Sequence, residues 1–192
     1  MKQLRVIVSS TRPGRIGPKV AEWVAAQASA QATADEWEVK LLDLSAIDLP
    51  FFNEEDMPRN GNYAFEHTKA WASEVFESDA IVIVTPQYNR SFPAPIKNAI
   101  DYLYAEWQRK PIALVGYGWT GASDATADLA KVLRHVDADV VGETGLVFPE
   151  DVSPTGELTV SDAKQAALGE LFSALSRAVS GTVDEPVDVA AG

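Results

Sequence analysis

Nine residues near the start of the chain, Ser9 to Gly17 (SSTRPGRIG), bring together three hydroxyl side chains, two arginines and two glycines. Hydroxyls and guanidinium groups donate hydrogen bonds to anionic oxygens, and glycine keeps neighbouring backbone N–H groups open to a ligand. A helix starting just beyond would add its unpaired first-turn amides and the positive end of its dipole. A helix cap flanked by solvated arginines needs fewer such groups, so the segment reads as a phosphate site. No GxxxxGK[ST] string occurs, which argues against a triphosphate-hydrolysing loop. Charge is lopsided around it: the chain carries a formal charge of -12, yet Lys2, Arg5, Arg12, Arg15 and Lys19 all precede the first acidic residue. The expectation is a cationic patch within an acidic protein. The overall charge disfavours nucleic acid and anionic membranes as partners, since both need clustered cations.

A second mixed stretch runs from Pro86 to Leu103, PQYNRSFPAPIKNAIDYL, where Tyr88 offers an aromatic face among polar neighbours. Packing of that tyrosine on the core is the plain alternative. A third candidate is Gly116, Gly118 and Gly121, which spell GxGxxG, with Asp137 and Asp139 about where a ribose-binding acid is sought. A dinucleotide fingerprint belongs on the first strand of its unit, and its acid closes the second strand. Here Asp139 would open a fifth strand, so a nicotinamide-dependent dehydrogenase built on this loop is the least favoured reading. His67 and His135 lie far apart without ligand spacing, so no metal is expected, and the absence of cysteine removes thiol nucleophiles, thiolate metal sites and disulfides.

These segments need elements to hold them. Leu4–Val8 is a compact apolar run that reads as a buried strand feeding the first loop, and Pro18 with Val20, Ala21, Val24, Ala25 and Ala28 predicts a helix after it. Strands are further expected at Glu38–Leu44, Ala80–Thr85, Ile112–Val115 and within Asp139–Phe148. Helices are expected around Thr68–Phe76, Ile96–Leu103, Leu129–Val136 and Leu168–Val179, and a long loop over 48–62. Regular alternation of strand and helix predicts an α/β fold: a doubly wound, five-stranded parallel sheet with ligand loops at the strand C-termini. Its 192 residues suit a single domain over 1–181, with 182–192 a loose acidic tail. The start offers no apolar run long enough for a signal peptide or membrane span, which makes the cytoplasm the expected compartment.

The second stretch resembles the string P-E-Y-N-x-S-x-P-G-x-L-K-N-A-I-D of the NADPH-dependent FMN reductase family, through Pro86, Tyr88, Asn89, Ser91, Pro93, Lys97, Asn98, Ala99, Ile100 and Asp101. The first loop is similar to that family's G-S-x-R-x-G-[RS] turn through Ser10, Arg12, Gly14 and Arg15. The resemblance implies a flavodoxin-like three-layer sandwich that binds FMN and takes electrons from NADPH or NADH. It places Ser10, Thr11, Arg12, Arg15, Ile16 and Gly17 around the FMN phosphate and ribityl chain. Pro86, Gln87, Tyr88 and Asn89 would border the flavin ring, and Tyr117, Gly118 and Trp119 would contact the flavin or the acceptor. Core packing of Trp119 is the alternative. Lys97, Asn98 and Asp101 read as helix-surface or interface residues. The implied activity is ping-pong hydride transfer to a small acceptor, such as a quinone, an azo compound, a metal oxyanion or free flavin, in a homodimer or homotetramer. A non-catalytic FMN electron carrier is the runner-up. The chain departs from the pattern at Ser9 for Gly, at Gln87 for Glu and at Ala94-Pro95 for Gly, and the lost carboxylate at Gln87 is expected to alter the charge near the ring.

Overall fold

The central strands are apolar on both faces, and this fixes the architecture. In β1 (Lys2–Val8) the side chains of Leu4, Val6 and Val8 enter one core, while Ile7 enters the other. In β3 (Ala80–Pro86) Val82 and Val84 go to the first core and Ile81 and Ile83 to the second. Period-two alternation of apolar side chains serves two buried faces when helices cover both sides. The computed structural model describes residues 1–30 and 37–181. The expected tail at 182–192 lies outside the described residues.

With β2 (Trp37–Asp43), β4 (Pro111–Gly118) and β5 (Asp139–Val147), the strands form one parallel sheet in the order β2-β1-β3-β4-β5. That is the flavodoxin-like order, in which the chain reverses its winding direction between β1 and β3 and leaves a crevice at their C-terminal ends. α1 (Gly17–Ala30) and α6 (Asp162–Gly181) cover one face. α3 (Glu66–Phe76), α4 (Ala94–Asp101) and α5 (Ser123–His135) cover the other. No helix among the described residues is long and apolar enough to cross a membrane.

One detail falls differently from the sequence expectations: Leu44, expected to end the second strand, opens a helix. β2 stops at Asp43 because the carboxylate accepts the amide of Ser45 at 3.0 Å and caps a single-turn helix, α2 (Leu44–Ile47). The long loop expected after it is present and is held by its own side chains. Glu54, buried, accepts the amides of Ala64 and Phe65, and Asp56 accepts from Met57, Asn60 and Asn62. Asn98 and Tyr102 bind the loop's backbone at Pro50, Phe51 and Phe52, so it is strapped over α4.

Candidate functional site

Parallel register brings three loops to one edge of the sheet. Val8 lies opposite Val84, Thr85 opposite Gly116 and Pro86 opposite Tyr117, so the loops after β1, β3 and β4 leave side by side. Between them opens a cleft of about 330 Å³, bordered by Arg12, Arg15 and Ile16, by Pro86, Gln87, Tyr88 and Asn89, and by Tyr117 and Gly118. Nine of the twelve predicted site residues therefore meet at one place. Ser10 is buried beside it, its hydroxyl 2.6 Å from that of Tyr88, and Gly17 opens α1 just below. Thr11 instead faces a second concavity, about 470 Å³, between the 44–51 segment and α4. That space is larger, but it gathers none of the other residues of the phosphate and ring loops.

Each loop has a physical reason for its shape. In the first, Gly14 takes φ 71° and Arg15 N–H returns to the Arg12 carbonyl at 3.1 Å, a turn that leaves the Arg12 side chain in solvent. Gly17 is required by close approach, since a Cβ there would stand 2.9 Å from the Tyr117 hydroxyl. In the second, Tyr88 and Ser91 exchange both backbone hydrogen bonds around Asn89 and Arg90, both in the left-handed region, a two-residue type I′ turn. In the third, a Cβ on Gly116 would lie 2.1 Å from the Gly121 carbonyl, and one on Gly145 would lie 2.4 Å from it. The glycines of GxGxxG thus let the loop fold back over β4 and β5. Asp139 pairs with Pro111 at the opposite end of the sheet, roughly 23 Å from the loop by strand rise, and cannot act as its ribose acid.

The electrostatics depart from the cationic patch read in the sequence. Lys2 donates to Ser180, Arg5 is buried against Glu74, Lys19 donates to the Thr155 carbonyl, and Arg15 Nη2 meets Asp43 at 2.5 Å. Alternate strand faces and a helix turn carry neighbouring cations to different partners. Of the five side chains, that of Arg12 alone makes no hydrogen bond or ion pair among the described residues. Burial pushes the Tyr117 phenol well above its ordinary range, the neighbouring Tyr88 adding to the rise while Ser10, Arg12 and Arg15 oppose it. Tyr117 therefore stays a protonated donor at the cleft wall.

Four residues bordering the cleft were not singled out from the sequence: Arg90, Thr120, Phe148 and Pro154. Phe148 and Pro154 follow β5, and the rule that parallel strands gather ligands at their C-termini points to that loop as well. Trp119, read as either a contact or core, is 71% exposed and stands edge-on to Phe148 at 5.6 Å, so core packing is ruled out. Lys97 and Asp101 pair on the surface of α4.

The residues present fit FMN. The cleft brings the Arg12 guanidinium and Ile16, just before α1, together with Tyr88 and Tyr117. The amides of Thr11 and Ile16 donate to no group among the described residues, as a phosphate site requires. Residues 3–152 match the family model of NADPH-dependent FMN reductases. The chain belongs to that family. It is 36% identical over 172 residues to an NAD(P)H-dependent FMN reductase of Schizosaccharomyces pombe, covering 88% of this chain and 84% of that one. An NADPH azoreductase of a Bacillus species is 31% identical, over 73% of this chain and 72% of its own. Among solved structures, the flavoenzyme NAD(P)H:(acceptor) oxidoreductase of Paracoccus denitrificans superposes with a TM-score of 0.68 at 27% identity, over 92% of this chain and 98% of that one. The family's cofactors, FMN and a reduced nicotinamide, are those of this NAD(P)H oxidoreductase.

Proposed function

We propose that residues 1–181 form one FMN-binding domain in which a reduced nicotinamide and a small planar acceptor, a quinone or azo compound, use the cleft in turn. The observation that carries this reading is the cleft itself, which brings together an exposed Arg12, an exposed Trp119, Tyr88 and Tyr117. FMN, when bound, supplies a hydride acceptor that later releases its electrons. The rest is the chain's work. Arg12, Ser10 and the amides of Thr11 and Ile16 hold the phosphate. The backbone of Pro86 to Asn89 and the Tyr117–Gly118 edge border the ring, and Trp119 with Phe148 walls the space for the substrates. A cleft of about 330 Å³ stands at the low end of small-molecule sites. One small cleft serving both substrates in turn favours ping-pong kinetics over a ternary complex.

Electron transfer of this kind draws on the nicotinamide pool of the cytoplasm, where we place the protein. The apolar side chains of Phe51, Phe52 and Met57, 87%, 41% and 67% exposed on the strap over α4, favour a homodimer in which a second copy covers them. The deciding experiment is an anaerobic visible spectrum of the purified, FMN-loaded protein. NADPH or NADH alone should bleach the flavin bands, and a benzoquinone should restore them without any partner protein. Bands that survive excess nicotinamide would leave an electron carrier. Intersecting rather than parallel double-reciprocal lines would refute the shared site, and light scattering that reports a monomer would refute the homodimer.

A further inference from the structure

The N-terminus of α5 lacks a cap of its own. The residue before it, Ala122, lies in the left-handed region and has no side chain that can accept from the first turn. A capping side chain ordinarily binds the second or third amide of a helix, here Asp124 and Ala125. Both donate to Gln87 Oε1, at 3.1 and 3.4 Å, although Gln87 stands 37 and 38 residues earlier on the loop after β3. The other end of the same amide, Nε2, donates to Asp124 Oδ2 at 3.3 Å, and Arg90 Nη2 pairs with that oxygen at 3.3 Å. One turn further along α5, Ser91 donates to Asp128.

We propose that Gln87 is a positioning residue that caps α5 across the site and so locks together the two loops that border the flavin ring. This rests on the FMN reading above. It also explains the amide in place of the carboxylate that the family pattern has at this position. A helix N-terminus favours a carboxylate, but Asp124 already supplies one in the first turn, at contact distance from the side-chain end of residue 87. A second would be repelled by it. An amide alone among side chains of this length accepts from the two N–H groups and donates to the carboxylate at once. Gln87 thus acts on the flavin through the place of its backbone and that of residues 118–122. The carboxylate absent at residue 87 is supplied 3.3 Å from its Nε2 by Asp124.

The test separates the cap from the cofactor. Hydrogen exchange of the apo-protein reads the amides of Asp124 and Ala125 directly. Gln87→Ala should speed their exchange about fivefold, the usual worth of a cap, and weaken FMN binding by a similar factor in a fluorescence titration. Gln87→Glu should be at least as damaging, and adding Asp124→Asn should restore both exchange protection and FMN affinity to within about twofold of the parent, because the donor and acceptor then merely trade sides. Gln87→Glu with unchanged protection and unchanged FMN affinity would overturn the proposal. So would failure of Asp124→Asn to rescue it, or a loss of protection that leaves FMN affinity untouched. A parent chain that binds no FMN would overturn the reading of the site and with it the positioning role, while the exchange data would still decide whether Gln87 is the cap.

Discussion

Arg12 and Arg15 are three residues apart on one loop, but the structure gives them different consequences. Arg12 is exposed and unpartnered, whereas Arg15 Nη2 lies 2.5 Å from Asp43. A phosphate monoester carries about -1.5 to -2 charges at neutral pH. A guanidinium some 4 Å away is worth about 1 kcal/mol per unit charge in water and about 4 at a partly desolvated surface. Because Arg12 is exposed, the lower part of that range applies, about 1 to 2 kcal/mol, so Arg12→Ala should weaken FMN binding about five- to thirtyfold. Salt should shrink the gap, since the Debye length falls from about 30 Å at 0.01 M to about 3 Å at 1 M. Arg15→Ala removes a cation and also leaves Asp43 unpaired near the phosphate loop. Its loss should be at least as large, and Asp43→Asn in that background should recover most of it, while no second change is available to rescue Arg12→Ala. Quenching of FMN fluorescence by the apo-protein at low and high salt measures every variant. Arg12→Ala binding FMN within twofold of the parent at low salt would refute the phosphate assignment. Failure of Asp43→Asn to rescue Arg15→Ala would mean that Arg15 itself grips the phosphate.

Gly17→Ala places a methyl group 2.9 Å from the Tyr117 hydroxyl and 3.1 Å from Val8 Cγ1. It should cost about 1 to 3 kcal/mol by thermal denaturation, with Tyr117→Phe recovering part of the loss. Gly116→Ala meets the Gly121 carbonyl at 2.1 Å, where only backbone could yield. That variant should accumulate as insoluble protein in an expression trial, or melt far below the Gly17→Ala protein. Hydrogen bonds from Asn62, Asn60 and the Met57 amide hold the Asp56 carboxyl below its usual value near 3.8. Its stabilisation is therefore complete above that value and lost as pH falls through the lower, folded one. Proteolysis of the 54–62 loop should accelerate below about pH 4, and Asp56→Asn should flatten that dependence.

The order of strands and helices was legible because the buried strands are continuous apolar runs and the helices repeat at helical spacing. Mostly edges moved, and for local reasons: Leu44, expected to close the second strand, instead opens a single-turn helix capped by Asp43, and the first turns of α3, α5 and α6 lack the apolar residues that mark their later turns. The cleft was legible too, since two of its loops carry unusual residue types in order. Phe148 and Pro154 were not, because a phenylalanine and a proline after an edge strand carry no chemical signature. Gln87 could be read as a departure from a pattern, but its partner could not. Asp124 looks like any first-turn acid until β3 and β4 pair and bring residues 37 apart into contact.

Charge is where reading along the chain misleads most, and the reason bears on how the site selects its ligand. Five cations among nineteen residues suggest a field that draws any anion. In the fold, β1 carries Lys2 and Arg5 along the sheet away from the crevice, Arg15 is neutralised at the end of β2, and Lys19 is turned to a carbonyl. What remains at the cleft is the Arg12 guanidinium, unpaired among the described residues, and a set of fixed amides and hydroxyls. One unpaired guanidinium within a protein of charge -12 exerts little pull at a distance. Affinity must then come from hydrogen bonds of the right geometry at the mouth of α1. On the reading proposed above, such a site discriminates by shape among anions that a cationic patch would bind alike, and it takes a phosphate carried on a flat body that reaches Tyr88, Tyr117 and Trp119.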